Sequence, residues 1–124
     1  MQNGKKKKRS CFVNATKLTT LAEEGRFAFN FFARLKGLLF TTELKHGDGL
    51  FLSPCNSIHM FFMLYAIDAV FVDKANKVVA LVKGIKPWCV SAMYFDAHAC
   101  LELPVGTIDS TNTEVGDLIE SKSV

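Results

Sequence analysis

Residues 67–82 read IDAVFVDKANKVVALV, and this stretch decides the fold class. Its first part, Ile67 to Asp73, is apolar at both odd and even positions, which is typical of a strand covered on both faces. The polar residues 74–77 (KANK) indicate a hairpin turn, and Val78 to Val82 indicates the returning antiparallel strand. The stretch therefore predicts a buried antiparallel hairpin.

Further short strands are expected on both sides of this hairpin. They lie at Cys11–Leu21, Arg26–Phe32, Leu50–Ser53, Ser57–Leu64, Met93–Phe95, Ala99–Leu103 and after Val115. A turn is expected at Glu23–Gly25, and the apolar spacing within residues 33–40 predicts one short helix. The pattern as a whole predicts a mainly β fold, a small antiparallel β-sandwich or barrel-like domain with one or two short helices.

The composition predicts one folded domain after a charged tail. The 124 residues are 49% hydrophobic and 22% charged, which excludes a disordered chain. Residues 1–10 hold five basic side chains, so we expect them to be a disordered basic tail, with residues 11–124 as a single β-rich domain. Because no basic stripe continues into that domain, nucleic acid is not expected as a partner.

The chain is expected to be a soluble, cytoplasmic monomer without a transmembrane segment. No apolar stretch follows the basic tail, as it would in a signal peptide. Residues 49–67 carry no formal charge, but Pro54 and several polar side chains argue against a membrane span. The cysteines are widely spaced and are expected to be reduced: Cys11, Cys55, Cys89 and Cys100.

Asp68 is the most informative candidate site residue. It lies in the apolar stretch Ile67–Asp73, where an unpaired carboxylate would be costly to bury. Arg34, which opens the predicted helix, is a candidate partner, because a guanidinium can meet a carboxylate with two hydrogen bonds. One interpretation is a structural ion pair or a backbone-bonded carboxylate. The other is an anionic-ligand or acid–base site in which Arg34 clamps the ligand and Asp68 accepts a proton.

His59 and Glu102 are the other candidate ligand-binding residues. His59 lies among apolar residues, so it is either a hydrogen-bonded core histidine or the polar group of an apolar pocket. Glu102 alternates with Leu101 and Leu103 and therefore points away from them, to solvent or into a polar cleft. A zinc site is disfavoured because the His and Cys spacing lacks a tight ligand motif, so no metal or cofactor is expected.

Several short motifs stand in one order along the chain. They are Arg34-x-x-Gly37-Leu38-Leu39, Leu52-x-Pro54-Cys55-x-Ser57-Ile58-His59, Ile67-Asp68-x-Val70-Phe71-x-Asp73, Pro87-Trp88, Leu101-Glu102-Leu103-Pro104-x-Gly106 and Val115-Gly116-Asp117. Together they resemble the bacterial and archaeal domain of unknown function 192 family, from about Phe12 to Glu120. The resemblance implies a mainly β fold of sandwich type and no established activity. It also implies a link to pilus or secretion genes for some relatives.

The chain departs from that family's pattern after His59. Large apolar side chains at residues 60–64 stand where the family commonly has small and polar ones. A ligand site there would be filled or reshaped in this protein.

Three functions remain open from the sequence. The first is a small ligand-binding or accessory module, in which Arg34, His59, Asp68 and Glu102 line a polar recess for a small ligand or protein partner. The second is an enzyme that uses Asp68 and His59 for acid–base chemistry, with no catalytic residue assigned. The third is an interaction partner of a pilus or secretion system, docking through an exposed Phe-rich strand edge.

Overall fold

A computed structural model describes residues 9–29, 44–60 and 63–123. The elements are β1 (Ser10–Asn14), β2 (Thr19–Ala28), β3 (Asp48–Leu52), β4 (Ile67–Val72), β5 (Val78–Ile85), β6 (Ala99–Pro104), the short helix α1 (Thr107–Ser110) and β7 (Ile119–Ser123). The strands form one sheet in the order β5-β4-β6-β3-β2-β1-β7. The predicted helix at residues 33–40, and with it Arg34, lies outside the described residues.

The hairpin predicted from residues 67–82 is confirmed. Every residue of β4 is buried, and β4 pairs antiparallel with β5 on one side and with β6 on the other. In the turn, the Asp73 carboxylate accepts hydrogen bonds from the backbone N–H groups of Ala75 (2.9 Å) and Lys77 (3.0 Å). The strand is apolar at both parities because a hydrophobic core covers each of its faces.

The sheet curls into a half-barrel whose two edge strands approach each other. Lys77 and Leu118 form an isolated bridge, Val78 N–H donates to Asp117 (2.8 Å), and Ile119 N–H donates to Asn76 (2.9 Å). In the part of the chain that the structure describes, no strand pairs with the outer edge of β7 after Ile119. The predicted mainly β, barrel-like fold with a short helix is therefore confirmed.

The curl gives the sheet an inner and an outer face, each with its own core. The inner core comprises Phe12, Leu21, Ala22, Val70, Val72, Val78, Ala99, Leu101, Leu103, Ile108 and Ile119. The outer core includes Leu50, Ala69, Phe71 and Cys100, over which Ile58, Met60 and Met63 pack. Because side chains alternate along each strand, a residue's position in the strand decides whether its side chain packs in the inner or the outer core.

The turn predicted at Glu23–Gly25 is wrong, because β2 continues through it to Ala28. Gly25 lies beneath the ring of Phe12, and a Cβ atom there would stand 2.2 Å from Phe12 Cδ2. The glycine is thus required for close packing of β1 on β2 and not for a chain reversal. The pair between β2 and β3 is parallel, whereas an antiparallel sheet was expected.

Two further predicted strands, at residues 57–64 and 93–95, are not regular strands in the described residues. The first segment runs beside residues 88–94, and their bridge joins His59 to Val90. Backbone hydrogen bonds also join Met60 to Cys89 and Ser91 to Ile58, both at 2.8 Å. These irregular segments cover the outer face of the sheet.

The described part of the domain begins slightly before the predicted boundary. Ser10, predicted as the end of the tail, is the first residue of β1, and Arg9 forms an ion pair with Glu24. Residues 1–8 lie outside the described residues. Within the described residues, no helix has the length and apolar character needed to cross a membrane.

Candidate functional site

The carboxylate of Asp68 is held by backbone groups of two neighbouring segments. Asp68 is only 1% exposed, and its Oδ1 atom accepts the N–H of Gly84 at 2.8 Å. Its Oδ2 atom accepts the N–H groups of Gly106 (3.1 Å) and Ile108 (3.0 Å). The register of the β4–β5 pair shifts next to Asp68. Through its hydrogen bond with Gly84 the carboxylate holds this irregularity in place, and through its bonds with Gly106 and Ile108 it holds the start of α1.

These contacts correspond to the backbone-bonded interpretation of Asp68. The glycine donors have positive φ angles, +62° at Gly84 and +97° at Gly106, which turn their N–H groups towards the carboxylate. Arg34 lies outside the described residues, so its pairing with Asp68 stays a prediction. Nearby, the hydrogen bond to Asp109 raises the pKa of Lys83, and the charge of Asp68 adds to this effect.

The sheet separates Asp68 from two other candidate site residues, His59 and Glu102. Asp68 pairs with Leu103 and faces the inner core, whereas Glu102 pairs with Ala69 and faces the outer core. His59 is half-buried in the irregular layer over the outer face. The structure therefore places His59 and Glu102 on one side of the sheet and Asp68 on the other.

Glu102 is fully buried, although the sequence suggested solvent or a polar cleft. It lies in a cross-strand row in which Arg26 pairs with Leu50 and Leu50 pairs with Glu102. Two strand spacings, about 10 Å, separate the backbones of Arg26 and Glu102, and both residues face the outer side. Arg26 was not selected from the sequence, because the row depends on the parallel β2–β3 pair.

A buried polar network joins β1 to the loop before β7, and sequence reasoning missed it. Asn14 Nδ2 donates to Thr113 Oγ1 (3.1 Å) and to Asp117 Oδ2 (2.9 Å). Lys17 Nζ donates to the same Asp117 oxygen at 2.8 Å and to Glu114 at 2.6 Å. Asp117 closes a local turn with Glu114, and its side chain also bonds Asn14 and Lys17, which lie about a hundred residues earlier in the chain.

The charges of this network stabilise each other. Burial alone raises the pKa of the Asp117 carboxyl, but hydrogen bonds from Asn14 and Lys17 outweigh it and hold the pKa below its usual range. The hydrogen bonds to Asp117 and Glu114 correspondingly raise the pKa of Lys17. The hydrogen bonds of Asn14 and Lys17 to Thr113 and Asp117 therefore make this network a structural clamp between the end of β1 and the loop before β7.

An aromatic cavity opens at the unclosed side of the half-barrel. We call it the aromatic mouth; it has a volume of about 130 Å³ and is lined by Phe12, Phe27, Phe51, Asn76, Ile119, Glu120 and Ser121. The three phenylalanine rings come from β1, β2 and β3, with centroids 5.4–5.5 Å apart. Phe27 is 36% exposed and stacks on Phe29, which is 66% exposed.

The cavities do not coincide with the residues selected from the sequence. A second recess, of about 270 Å³, lies beside the β1–β2 turn and is lined mainly by Val13, Thr19, Thr20 and Lys122. Neither lining includes His59, Asp68 or Glu102. In the described residues, no group of three His, Cys, Asp or Glu side chains is placed to hold a metal ion, and the four cysteines are free thiols.

The fold and these sites define a small β half-barrel with a backbone-bound carboxylate and an aromatic mouth. The chain belongs to the domain of unknown function 192 (DUF192) family, described as Uncharacterized ACR, whose model matches residues 13–121. It is 37% identical over 113 residues to a UPF0127 protein of the archaeon Thermococcus sibiricus, covering 87% of this chain and 72% of the relative. Identity to a UPF0127 protein of Pyrococcus furiosus is 34% over 113 residues, covering 87% and 95%.

Two solved bacterial structures share the fold at low sequence identity. A protein of unknown function from Novosphingobium aromaticivorans has a TM-score of 0.74 at 21% identity, covering 91% of this chain and 84% of that one. A putative transcription regulator from Sinorhizobium meliloti has a TM-score of 0.76 at 17% identity, covering 98% of each chain. At such identities the likeness concerns the fold alone.

Proposed function

We propose that the protein is a small binding module that holds an apolar group in the aromatic mouth. The observation that carries this proposal is the convergence of Phe12, Phe27 and Phe51, from three adjacent strands, on one open cavity. Barrel mouths lined by aromatic side chains are common places for ligands, because the rings offer apolar area and the backbone around them is rigid.

The dimensions of the mouth limit what it can hold. A volume of about 130 Å³ is close to that of engineered apolar cavities that take up benzene, and it is too small for a drug-sized molecule. The proposed ligand is therefore a single ring or a short aliphatic group, either free or as a side chain of a partner. Asn76 and Glu120 at the rim are the polar groups that would orient it.

The proposal does not extend to acid–base catalysis. The two oxygens of Asp68 accept three backbone hydrogen bonds, and the residue faces away from the layer that holds His59. Arg34, His59 and Glu102 stay candidate ligand-binding residues, and of these His59 and Glu102 lie on the outer side of the sheet. No observation favours a second function over binding at the mouth.

The proposal is tested by titrating the protein into fluorobenzene and recording the ¹⁹F NMR signal. We expect saturable broadening of the signal by the wild-type protein. Phe27→Ser removes one ring contact, worth about 0.5–1.5 kcal/mol, and is expected to weaken binding roughly two- to twelvefold. Ser121→Phe fills the cavity without removing a core side chain and is expected to abolish the broadening.

A matched control separates the mouth from general surface hydrophobicity. Phe95 is 84% exposed and does not line the mouth, so Phe95→Ser is expected to leave the fluorobenzene affinity unchanged. The proposal is wrong if the wild-type protein gives no saturable signal, or if Phe95→Ser weakens binding as much as Phe27→Ser. Thermal unfolding of each variant confirms that it is folded during the titration.

A further inference from the structure

Residues 86–96 cross the irregular layer on the outer face of the sheet. Two side chains anchor them there. Ser91 Oγ accepts the N–H of Ile58 (2.9 Å), and the ring of Tyr94 packs on that of Phe71 with a centroid distance of 4.8 Å. Most of the residues around these two anchors are exposed, so the segment presents its other side chains to the surroundings.

Five large apolar side chains of this layer are between 55% and 84% exposed, and we call them the outer patch: Leu64, Trp88, Val90, Met93 and Phe95. The N–H groups of Met63 and Trp88 both donate to the carbonyl oxygen of Met60, which brings Leu64 next to the segment. Because one aromatic side chain covers about 150–250 Å² when it is buried, the patch exposes roughly 600 Å² in total. This value is at the top of the range of about 300–600 Å² for the largest apolar patch of a typical monomer, and such patches often mark interaction sites.

Trp88 occupies a turn position that favours glycine. The Cys89 N–H donates to the Lys86 carbonyl oxygen (3.1 Å) and closes the turn, in which Trp88 has a φ angle of +66°. Bulky L side chains rarely adopt this left-handed conformation. More than half of the Trp88 side chain stays exposed in one copy, so the packing gained from this strained position is incomplete. A second surface that covers the indole would complete it.

The two ends of the segment carry opposite charges. Lys86 and Asp96 are both exposed, and neither forms an ion pair or a side-chain hydrogen bond with another residue in the described part of the chain. Between them, residues 88–94 run beside residues 56–60, so the two charges lie at opposite ends of the patch. A two-fold axis near Ser91, halfway between them, sets Lys86 of each copy opposite Asp96 of the other.

We propose that two copies of this chain associate face to face through the outer patch, with a two-fold axis near Ser91. The interface is isologous, with the apolar side chains at its centre and the two Lys86–Asp96 pairs at its rim. The charges are complementary to the same surface turned about this axis, and they therefore select a second copy as the occupant.

The area of the patch is sufficient for such a dimer. Covering it on both copies removes roughly 1,200 Å², the lower end of the range of about 1,200–2,000 Å² that is typical of specific interfaces. We therefore expect a reversible equilibrium with a dissociation constant in the micromolar range. This dimer replaces the monomer expected from the sequence. It does not depend on binding at the aromatic mouth, whose lining includes no residue of the outer patch.

The charge pairs are tested by sedimentation velocity of the full chain from about 1 μM to about 1 mM, which covers micromolar dissociation constants. Lys86→Glu and Asp96→Lys each turn two attractive pairs into repulsive ones and are expected to weaken association about tenfold. The double variant K86E/D96K restores both pairs in reversed order and is expected to associate like the wild type.

Two further substitutions test the apolar centre. Phe95→Ser and Trp88→Gly each remove an aromatic ring and are expected to weaken association at least about tenfold, because aromatic side chains carry much of the binding energy of interfaces. Glycine fits the positive φ angle at residue 88, so we expect the Trp88→Gly monomer to stay folded. Thermal unfolding of each variant at low concentration separates loss of association from loss of folding.

Two exposed charges outside the patch provide matched controls. Lys45→Glu and Glu23→Lys make the same changes in net charge and are expected to leave the association unchanged. A wild-type chain that stays monomeric over the whole range overturns the proposal. So does association that the single reversals or Phe95→Ser leave intact, or that the double reversal does not restore. Because this readout is mass and the fluorobenzene readout is NMR, either proposal can fail without the other.

Discussion

Replacing Asp68 tests whether one buried carboxylate holds two segments of the half-barrel together. Asp68→Ala leaves three backbone N–H groups without their acceptor. The hydrogen bond from the Ile108 N–H is buried, and leaving this donor without an acceptor costs about 1–3 kcal/mol. The hydrogen bonds from Gly84 and Gly106 are part-buried, so water can reach these donors and each loss costs about half as much. We expect the free energy of unfolding to fall by about 2–6 kcal/mol.

Urea denaturation measures this loss, and two further variants sharpen it. In Asp68→Asn the side-chain oxygen can still accept the N–H groups of α1, but the NH₂ group that faces Gly84 cannot accept its N–H. We therefore expect this variant to lower the free energy of unfolding by about 1–2 kcal/mol. Asp109→Ala removes an exposed carboxylate that pairs with Lys83 at 2.7 Å and is expected to cost under about 1 kcal/mol. A loss below about 1 kcal/mol for Asp68→Ala would refute the reasoning.

The same assay decides the predicted pairing between Arg34 and Asp68. If the two residues pair as predicted, the losses from Arg34→Ala and Asp68→Ala differ from additivity by more than about 0.5 kcal/mol, whereas additivity within that range would leave Asp68 bonded to the backbone N–H groups alone. A larger coupling energy in the double-mutant cycle would establish that the two residues interact directly.

Two other substitutions test the packing and the polar network. Gly25→Ala places a Cβ atom 2.2 Å from the Phe12 ring, so we expect it to lower the unfolding free energy by about 1–3 kcal/mol in urea; an unchanged midpoint would contradict the packing argument. The pKa of Asp117 in the folded protein lies below its ordinary value of 3.8, so the ionised carboxylate stabilises the fold fully above pH 3.8. This stabilisation is lost as the pH falls from 3.8 through the lowered pKa. We therefore expect the difference in Tm between the wild type and Asp117→Asn to be larger at pH 7 than at pH 3, and a constant difference would show that the charge does not matter.

The hydrophobic pattern of the sequence correctly predicted those parts of the fold that depend on contacts between residues close together in the chain. The hairpin at residues 67–82 could be predicted because its strand is apolar at both parities and its turn is polar. The turn predicted at Gly25 is wrong although a glycine next to two acidic residues is typical of a turn. The true role of Gly25 depends on Phe12, which pairs with β2 from a separate strand.

The candidate site was less predictable, because its determinants are long-range or lie in the backbone. The donors to Asp68 are N–H groups, which every residue except proline carries, so the sequence cannot single them out. Asp117 and Asn14 are distant in the chain, and no local motif joins them. The aromatic mouth depends on strand order: Phe12, Phe27 and Phe51 meet only because β1, β2 and β3 are adjacent.

The pairing of β1 with β7 has a consequence for folding during protein synthesis. Asn14 and Asp117, which lie at this junction, are separated by 103 residues, so β1 leaves the ribosome long before its outer partner exists. Until then β1 is an unprotected edge strand with an apolar face, the kind of surface that promotes aggregation. Contacts of such long range also slow folding. Nascent chains that stop before Ile119 should therefore need a chaperone more than the finished protein does.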